Sequence, residues 1–268
     1  MVVCSKSVFV TLCDKGYFPR ALTTIEDLRT RGRWYGDIVL ICVDFEPDLG
    51  PVTEFSVIVR RVKHINTDGL VAQLRANPIR SQADGRHFGK LHQWDKLGVF
   101  DIYFRFWDRV VFLDAGLRCF DSVGALLDLP YEGRLLAPDD SDPYDNGNRF
   151  RVQLDLEANP AAAGAVLADF SPAILDARYF LNCIFVYDTA LLSQVSFTEL
   201  EAAMNKYPIC MCNEMGIMNL FFSFKLGVWT AFPQRVGAKY LFGWSELNYR
   251  ERPTWRNFCF LKYPSTAP

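Results

Sequence analysis

RVVFLDAGLRCF, residues 109–120, decides how the chain is read. After Arg109 it runs through apolar residues and ends in one carboxylate, Asp114, followed at once by Ala115 and Gly116. A continuous apolar run of this length, rich in β-formers, predicts a strand covered on both faces rather than one with a wet side. The same pattern recurs in SVFVTLC (7–13), DIVLICVD (37–44) and FSVIVRRV (55–62). Between these runs, ALTTIEDLRTRG (21–32) places Leu22, Ile25 and Leu28 on one helical face and stops at Gly32. KLHQWDKLGVFDIYF (90–104) predicts a helix with apolar positions Leu91, Trp94 and Leu97, weakened in its middle by Gly98. Alternation of strand and helix predicts an α/β fold with a Rossmann-like, mostly parallel central sheet flanked by helices.

The second half is less regular. DDSDPYDNGNRFRVQLD (139–155) is rich in turn formers and reads as a surface loop. YFLNCIFVYD (179–188) reads as a strand, FTELEAAMNKY (197–207) as a helix, and NEMGIMNLFFSF (213–224) as a helix apolar nearly all round. The stretch from Gly237 onward is aromatic and reads as irregular. No internal repeat or low-complexity linker divides the chain, which predicts one domain over 1–268, with a nucleotide-binding half (1–130) and an acceptor-side half (131–268).

Composition excludes several classes. Half of the 268 residues are apolar and the formal net charge is −2, so no basic field points to nucleic acid. No run reaches the ~20 apolar residues of a membrane span. The N-terminal MVVCSKSVFV lacks a charged start followed by an apolar signal region. Of the eight cysteines, Cys13, Cys42, Cys119, Cys183 and Cys259 sit in or beside apolar runs, where free thiols behave as small hydrophobes. There is no CxxC pair and no Asn-x-Ser/Thr acceptor. Reduced thiols and a cytoplasmic location are the expectation.

In open α/β sheets, ligands bind beyond the carboxyl ends of the strands. Thr11, Asp14 and Tyr17 follow the first strand, Asp114 ends the fourth, and Asn182 lies near the strand that runs toward Tyr187. No GxGxxG, GxxxxGK[ST] or GxSxG motif is present. A nucleotide would therefore be held by strand ends, a loop aromatic and a metal rather than by a glycine-rich loop.

Six stretches in order carry a resemblance: VTLCDKGYFPRAL (10–22), KLHQW (90–94), RVVFLDAG (109–116), LLAPDD (135–140), YFLNCIFVY (179–187) and NEMGIMNLFF (213–222). Together they resemble the glycogenin-like family-8 retaining glycosyltransferases, which have the GT-A fold. The resemblance implies transfer of a hexosyl or pentosyl group from a nucleotide sugar, most often a UDP-sugar, to a glycan, protein or small-molecule hydroxyl. It implies that Thr11, Leu12 and Tyr17 hold the uracil, Tyr17 by stacking. Lys90 would meet the donor phosphates or sugar, and Asp114, with Ala115 and Gly116 beside it, the ribose and a metal. Asn182 and Glu214 would face the donor sugar and the acceptor.

The sequence departs from that family at telling places. Asp-x-Asp has become Asp114-Ala115-Gly116, and the histidines, His64, His87 and His92, all lie far from the C-terminus. NFCFLKYPST (257–266) offers Cys259 or Lys262 where the family has a metal-binding His, and thiols are poor ligands for hard ions. Met215 removes a side-chain amide. Two versions stay open: Mn²⁺ or Mg²⁺ held weakly through Asp114 and the donor diphosphate, or no metal, with Lys262 supported by Lys90 or Arg118. Front-face displacement is the expected mechanism, with Glu214 or Asp140 as possible nucleophiles. The alternative is a nucleotide-sugar-binding pseudoenzyme. A nucleotidyltransferase would need a glycine-rich basic loop, of which only Lys15-Gly16 is present.

Overall fold

The computed structural model describes residues 6–80, 86–140, 147–244 and 257–263. The strands are β1 (Ser7–Cys13), β2 (Asp37–Val43), β3 (Ile58–Val62), β4 (Arg109–Leu113), β5 (Leu117–Cys119), β6 (Leu135–Ala137), β7 (Ile184–Asp188), β8 (Trp229–Ala231), β9 (Arg235–Val236), β10 (Lys239–Trp244) and β11 (Phe258–Lys262). The helices are α1 (Phe18–Thr30), α2 (Leu49–Glu54), α3 (Asp68–Ala76), α4 (Arg86–Gly89), α5 (Gly124–Leu127), α6 (Pro160–Phe170), α7 (Phe197–Lys206) and α8 (Glu214–Asn219).

Seven strands form the main sheet in the order β3-β2-β1-β4-β7-β6-β8. β1 runs parallel to β2 and β4, and β2 parallel to β3. β7 is antiparallel to β4 and β6, while β6 and β8 are parallel. The runs in β1, β2 and β4 are buried on both faces: Val8, Phe9, Ile38, Val39, Leu40, Val110 and Val111 are fully inaccessible. β3 corrects the same expectation: it is the edge strand, and none of Ile58–Val62 is buried. No helix among the described residues is long and apolar enough to cross a membrane.

Local chemistry explains where elements begin. α1 starts at Phe18, three residues before the predicted helix, because Pro19 suits the first turn. Ser196 and Glu199 close a capping box at the start of α7. The predicted helix over 90–104 is instead two 3₁₀ segments, Leu91–Phe100 and Ile102–Phe106, divided at Asp101, whose carboxylate accepts the Tyr103 N–H. The predicted helix over 213–224 is α8 continued by a π-helical turn, Leu220–Lys225.

The C-terminal region corrects the expectation of irregular chain. β10 and β11 join β5 and β9 in a second sheet, order β5-β11-β10-β9. Its β5–β11 ladder pairs Leu117 with Lys262, which brings the last strand beside the end of β4. Within the loop read over 139–155, Phe150–Gln153 form a 3₁₀ turn; 141–146 lie outside the described residues.

Candidate functional site

A cavity of about 490 Å³ opens where β1 and β4 end, and its wall includes Leu12, Asp14, Tyr17, Lys90, Lys96, Asp114, Asn182, Glu214 and Lys262. That volume is within the usual range for small-molecule sites. Each wall element is fixed by identifiable bonds. The Asp14 carboxylate accepts the Tyr17 N–H at 2.9 Å, which shapes the turn into α1 and holds Tyr17 at the rim, 36% exposed. The Arg20 guanidinium lies 6.0 Å from the Tyr17 ring centroid. Asp114 donates its N–H to the Cys183 carbonyl at 2.9 Å, locking the β4 end to the approach of β7. Asn219, fully buried, clamps that approach by exchanging bonds with the Phe180 N–H (2.9 Å) and carbonyl (3.0 Å).

The centre of the site is a lysine that the sequence reading passed over. Lys96 is 6% exposed, and its ammonium lies 2.9 Å from Asp114 Oδ1 and 2.9 Å from Glu214 Oε1. It also donates toward the Asn182 carbonyl at 3.3 Å. Asn182 Nδ2 donates to Glu214 Oε1 at 2.9 Å and reaches Met218 Sδ at 3.3 Å. From the other side Lys262 Nζ donates to Asp114 Oδ2 at 3.1 Å. Burial works against the Asp114 charge, but the ammonium groups of Lys262 and Lys96 outweigh it and hold the carboxyl below the ordinary carboxylate range. Burial likewise opposes the Lys96 charge, and Asp114 and Glu214 reverse that, raising it above an ordinary lysine. Glu214 Oε2 is buried with no hydrogen-bond partner.

Lys96 was hidden by an α-helical reading of 90–104. With three residues per turn, side chains at i and i+3 eclipse. Lys90, Gln93 and Lys96 therefore fall on one face, and all three line the cavity. Trp94, Leu97 and Phe100 fall on another and are buried.

The remaining expected residues separate into two groups. Leu12, Tyr17, Lys90, Asp114, Ala115, Asn182, Glu214 and Lys262 line the cavity together. Thr11 lies inside β1, 1% exposed, with its hydroxyl unpartnered, and is not part of the cavity wall. Gly116 stands just behind the wall: its N–H donates to Thr24 Oγ1 at 2.9 Å and its φ is +88°. Of the two C-terminal candidates, Lys262 reaches the cavity, whereas Cys259 is buried in β11. Arg118 is engaged with Asp27 at 2.5 and 3.2 Å and lies off the wall. Asp140 accepts from Tyr179 and from Asn148 Nδ2, also away from the cavity. The described cysteines are free thiols.

A hard divalent cation does not fit at Asp114. Both carboxylate oxygens already face ammonium groups, and a dipositive ion there would meet two positive neighbours at contact distance. The other nearby carboxylate oxygen, Glu214 Oε1, is shared with the same lysine. The position that would carry a second Asp is a glycine at positive φ, where an L-residue is strained.

No protein-family model matches the sequence, and no curated protein matches it. Solved structures do. The galactosyltransferase LgtC, determined with donor and acceptor sugar analogues, is 13% identical over 97% of this chain and 88% of its own, with a TM-score of 0.60. Mouse xyloside xylosyltransferase 1 is 13% identical over 98% and 99%, TM-score 0.55. The bifunctional glycosyltransferase WbbM is 14% identical over all of this chain, which spans 47% of it, TM-score 0.60. A Mn/GDP form of core-mannan synthase A from Aspergillus fumigatus also matches, at 8% identity and TM-score 0.52. The likeness is one of architecture: a mostly parallel seven-stranded sheet flanked by helices, the α/β arrangement of the GT-A glycosyltransferases.

Proposed function

We propose that the chain is a glycosyltransferase taking its sugar from a nucleotide donor, most simply a UDP-hexose or UDP-pentose, and that it does so without a divalent ion at Asp114. The observation that carries this is the pair of lysines on one strand-end carboxylate: Lys96 and Lys262 at 2.9 and 3.1 Å from Asp114, inside the cavity. Breaking the bond between the anomeric carbon and the phosphate oxygen leaves both electrons on the departing diphosphate. That charge needs a preorganised cation in a water-poor site. Lys262 and Lys90 supply it from the wall. Lys96 acts one layer deeper, neutralising Asp114 and Glu214 so that the diphosphate does not meet two bare carboxylates.

In this reading Tyr17, at the rim, stacks on the base with Leu12 beside it, and the Asp114 carboxylate, beside its two lysines, accepts from ribose hydroxyls. Asn182 and Glu214 face the sugar. In this reading the acceptor hydroxyl attacks the anomeric carbon from the face the diphosphate leaves. Its proton passes to the leaving phosphate oxygen and configuration is retained. Residues 1–130 hold the nucleotide, while 131–268 contribute Asn182, Glu214 and Lys262.

The test is incubation with a panel of UDP-sugars in metal-free buffer, reading UDP release and donor binding by thermal shift. Release that disappears in Asp114→Asn supports the reading. Binding without release across donors and acceptors selects the pseudoenzyme instead, which the ion-paired state of Glu214 would suit. If no nucleotide sugar binds, both fail.

A further inference from the structure

Outside the Asp114 network, three metal-type donors meet beside the cavity, whose wall includes one of them, His92. His64, in the loop between β3 and α3, places Nδ1 2.8 Å from Asp95 Oδ2. His92, one turn before Asp95, places its own Nδ1 3.1 Å from the same oxygen. The two imidazole rings are 4.6 Å apart, edge to face, and the three ligand atoms lie within 4.8 Å of one another. Among the described residues this is the one such grouping of His, Cys, Asp or Glu.

The surroundings hold these groups as outer partners hold metal ligands. Asp95 is buried, and its Oδ1 accepts the Ile65 N–H at 2.9 Å, so Oδ2 stays turned toward the histidines. His64 Nε2 lies 3.3 Å from the Thr67 hydroxyl, which can take the ring proton and leave Nδ1 as the free lone pair. His92 lines the cavity with its side chain 42% exposed, so the cluster is accessible through that ring. In a tetrahedral site with bonds of ~2.0–2.1 Å, ligand atoms stand about 3.3 Å apart. The two N···O separations need to open by only a few tenths of an ångström.

We propose that His64, His92 and Asp95 bind a divalent transition-metal ion of the zinc class, with a fourth position open to the cavity. Two imidazoles and one carboxylate suit zinc, nickel or cobalt better than magnesium or calcium. The ligand set shares no residue with the Asp114 cluster, and the site does not depend on the glycosyltransferase reading. Its place in the chain gives it reach: Asp95 adjoins Lys96, so a bound ion ties the 3₁₀ segment carrying that lysine to the loop after β3.

The full chain, stripped with a chelator and dialysed, is titrated with Zn²⁺ by calorimetry and with Co²⁺ by visible absorption. One ion per chain is expected, with ligand-field bands and no thiolate charge-transfer band. Asp95→Asn and His92→Ala should each weaken binding by more than the ~100-fold typical of losing an outer partner, and Thr67→Val by about tenfold. His92 is half-exposed, so His92→Ala is expected to keep the wild-type circular dichroism and thermal midpoint without metal, and His64→Gln serves as a second variant. Cys212→Ser and Asp114→Asn should bind as wild type. Absence of binding, equal binding by His92→Ala and His64→Gln, or a thiolate band that vanishes in Cys212→Ser would overturn the proposal: the cluster would then be a hydrogen-bonded network only.

Discussion

Replacing Lys96 by Met tests the charge balance of the site most directly. The substitution keeps much of the buried aliphatic stem, which passes 5.4 Å from the Phe112 ring centroid at its ammonium end, and deletes the charge. Glu214, 2% exposed, then loses its cation and keeps only the Asn182 amide among its recorded partners. Asp114 keeps Lys262. Stripping a buried carboxylate of its partner costs about 3–5 kcal/mol. A chain of this size loses roughly 2–4 °C per kcal/mol, so the melting midpoint should fall by roughly 6–20 °C at pH 7. The loss should also depend on pH. In the wild type, Asp114 sits below its unfolded pKa, so its contribution is full at neutral pH and is lost as pH falls through about 4 and below. In the variant an uncompensated buried carboxylate takes up a proton on folding, so the variant gains stability as pH falls from 7 toward 5. The gap should narrow by up to about 1.4 kcal/mol per pH unit for each proton taken up. Chemical denaturation of both proteins at pH 7, 6 and 5 measures it. Adding Glu214→Gln to Lys96→Met should restore part of the loss at pH 7. A gap under about 1 kcal/mol, or one that does not change with pH, would refute the view of Lys96 as an obligatory internal cation.

Three further outcomes follow from the same geometry. Tyr17→Ala should weaken UDP-sugar binding by about 1–3 kcal/mol, roughly 5- to 150-fold, with little change in melting midpoint, read by calorimetry; unchanged affinity removes Tyr17 from the base site. Gly116→Asp, which restores an Asp-x-Asp spelling, should gain no Mn²⁺ binding and should lose on the order of 1–2 kcal/mol, because φ is +88° there; a Mn²⁺ titration and a thermal melt decide. In the His64→Gln background, which removes the histidine cluster from the comparison, adding Mn²⁺ or a chelator should alter UDP release by less than about twofold; a large Mn²⁺ requirement would return the metal to Asp114.

Continuous apolar strands were readable because a strand buried on both faces needs apolar residues at every position, and β1, β2 and β4 begin where their runs begin. Asp114 was readable because a carboxylate closing such a run has no packing purpose. Lys96 was not, since its place on the cavity-facing side depends on a 3₁₀ rather than an α-helical period, and no residue in 90–100 announces the tighter winding. β10 and β11 were missed because their aromatic residues fit strand or irregular chain equally, and only pairing with β5 decides. Thr11 and Leu12 adjoin in sequence, but successive strand side chains point to opposite faces, and only Leu12 reaches the cavity. Arg118 looked like a spare cation until Asp27, on α1, was seen to occupy it.

The contact between Asp114 and Lys262 joins residues 148 apart in the chain. Val8 and Asp37 pair across 29 residues and Ser7 and Arg109 across 102, so the Lys262 contact closes the longest of these loops. A folding intermediate with the large sheet in place but β11 undocked would already have Asp114 at its strand tip, with Lys96 as its sole lysine partner. Competence for the donor would then lag behind acquisition of secondary structure, and the interval between the two would time the arrival of the last strand.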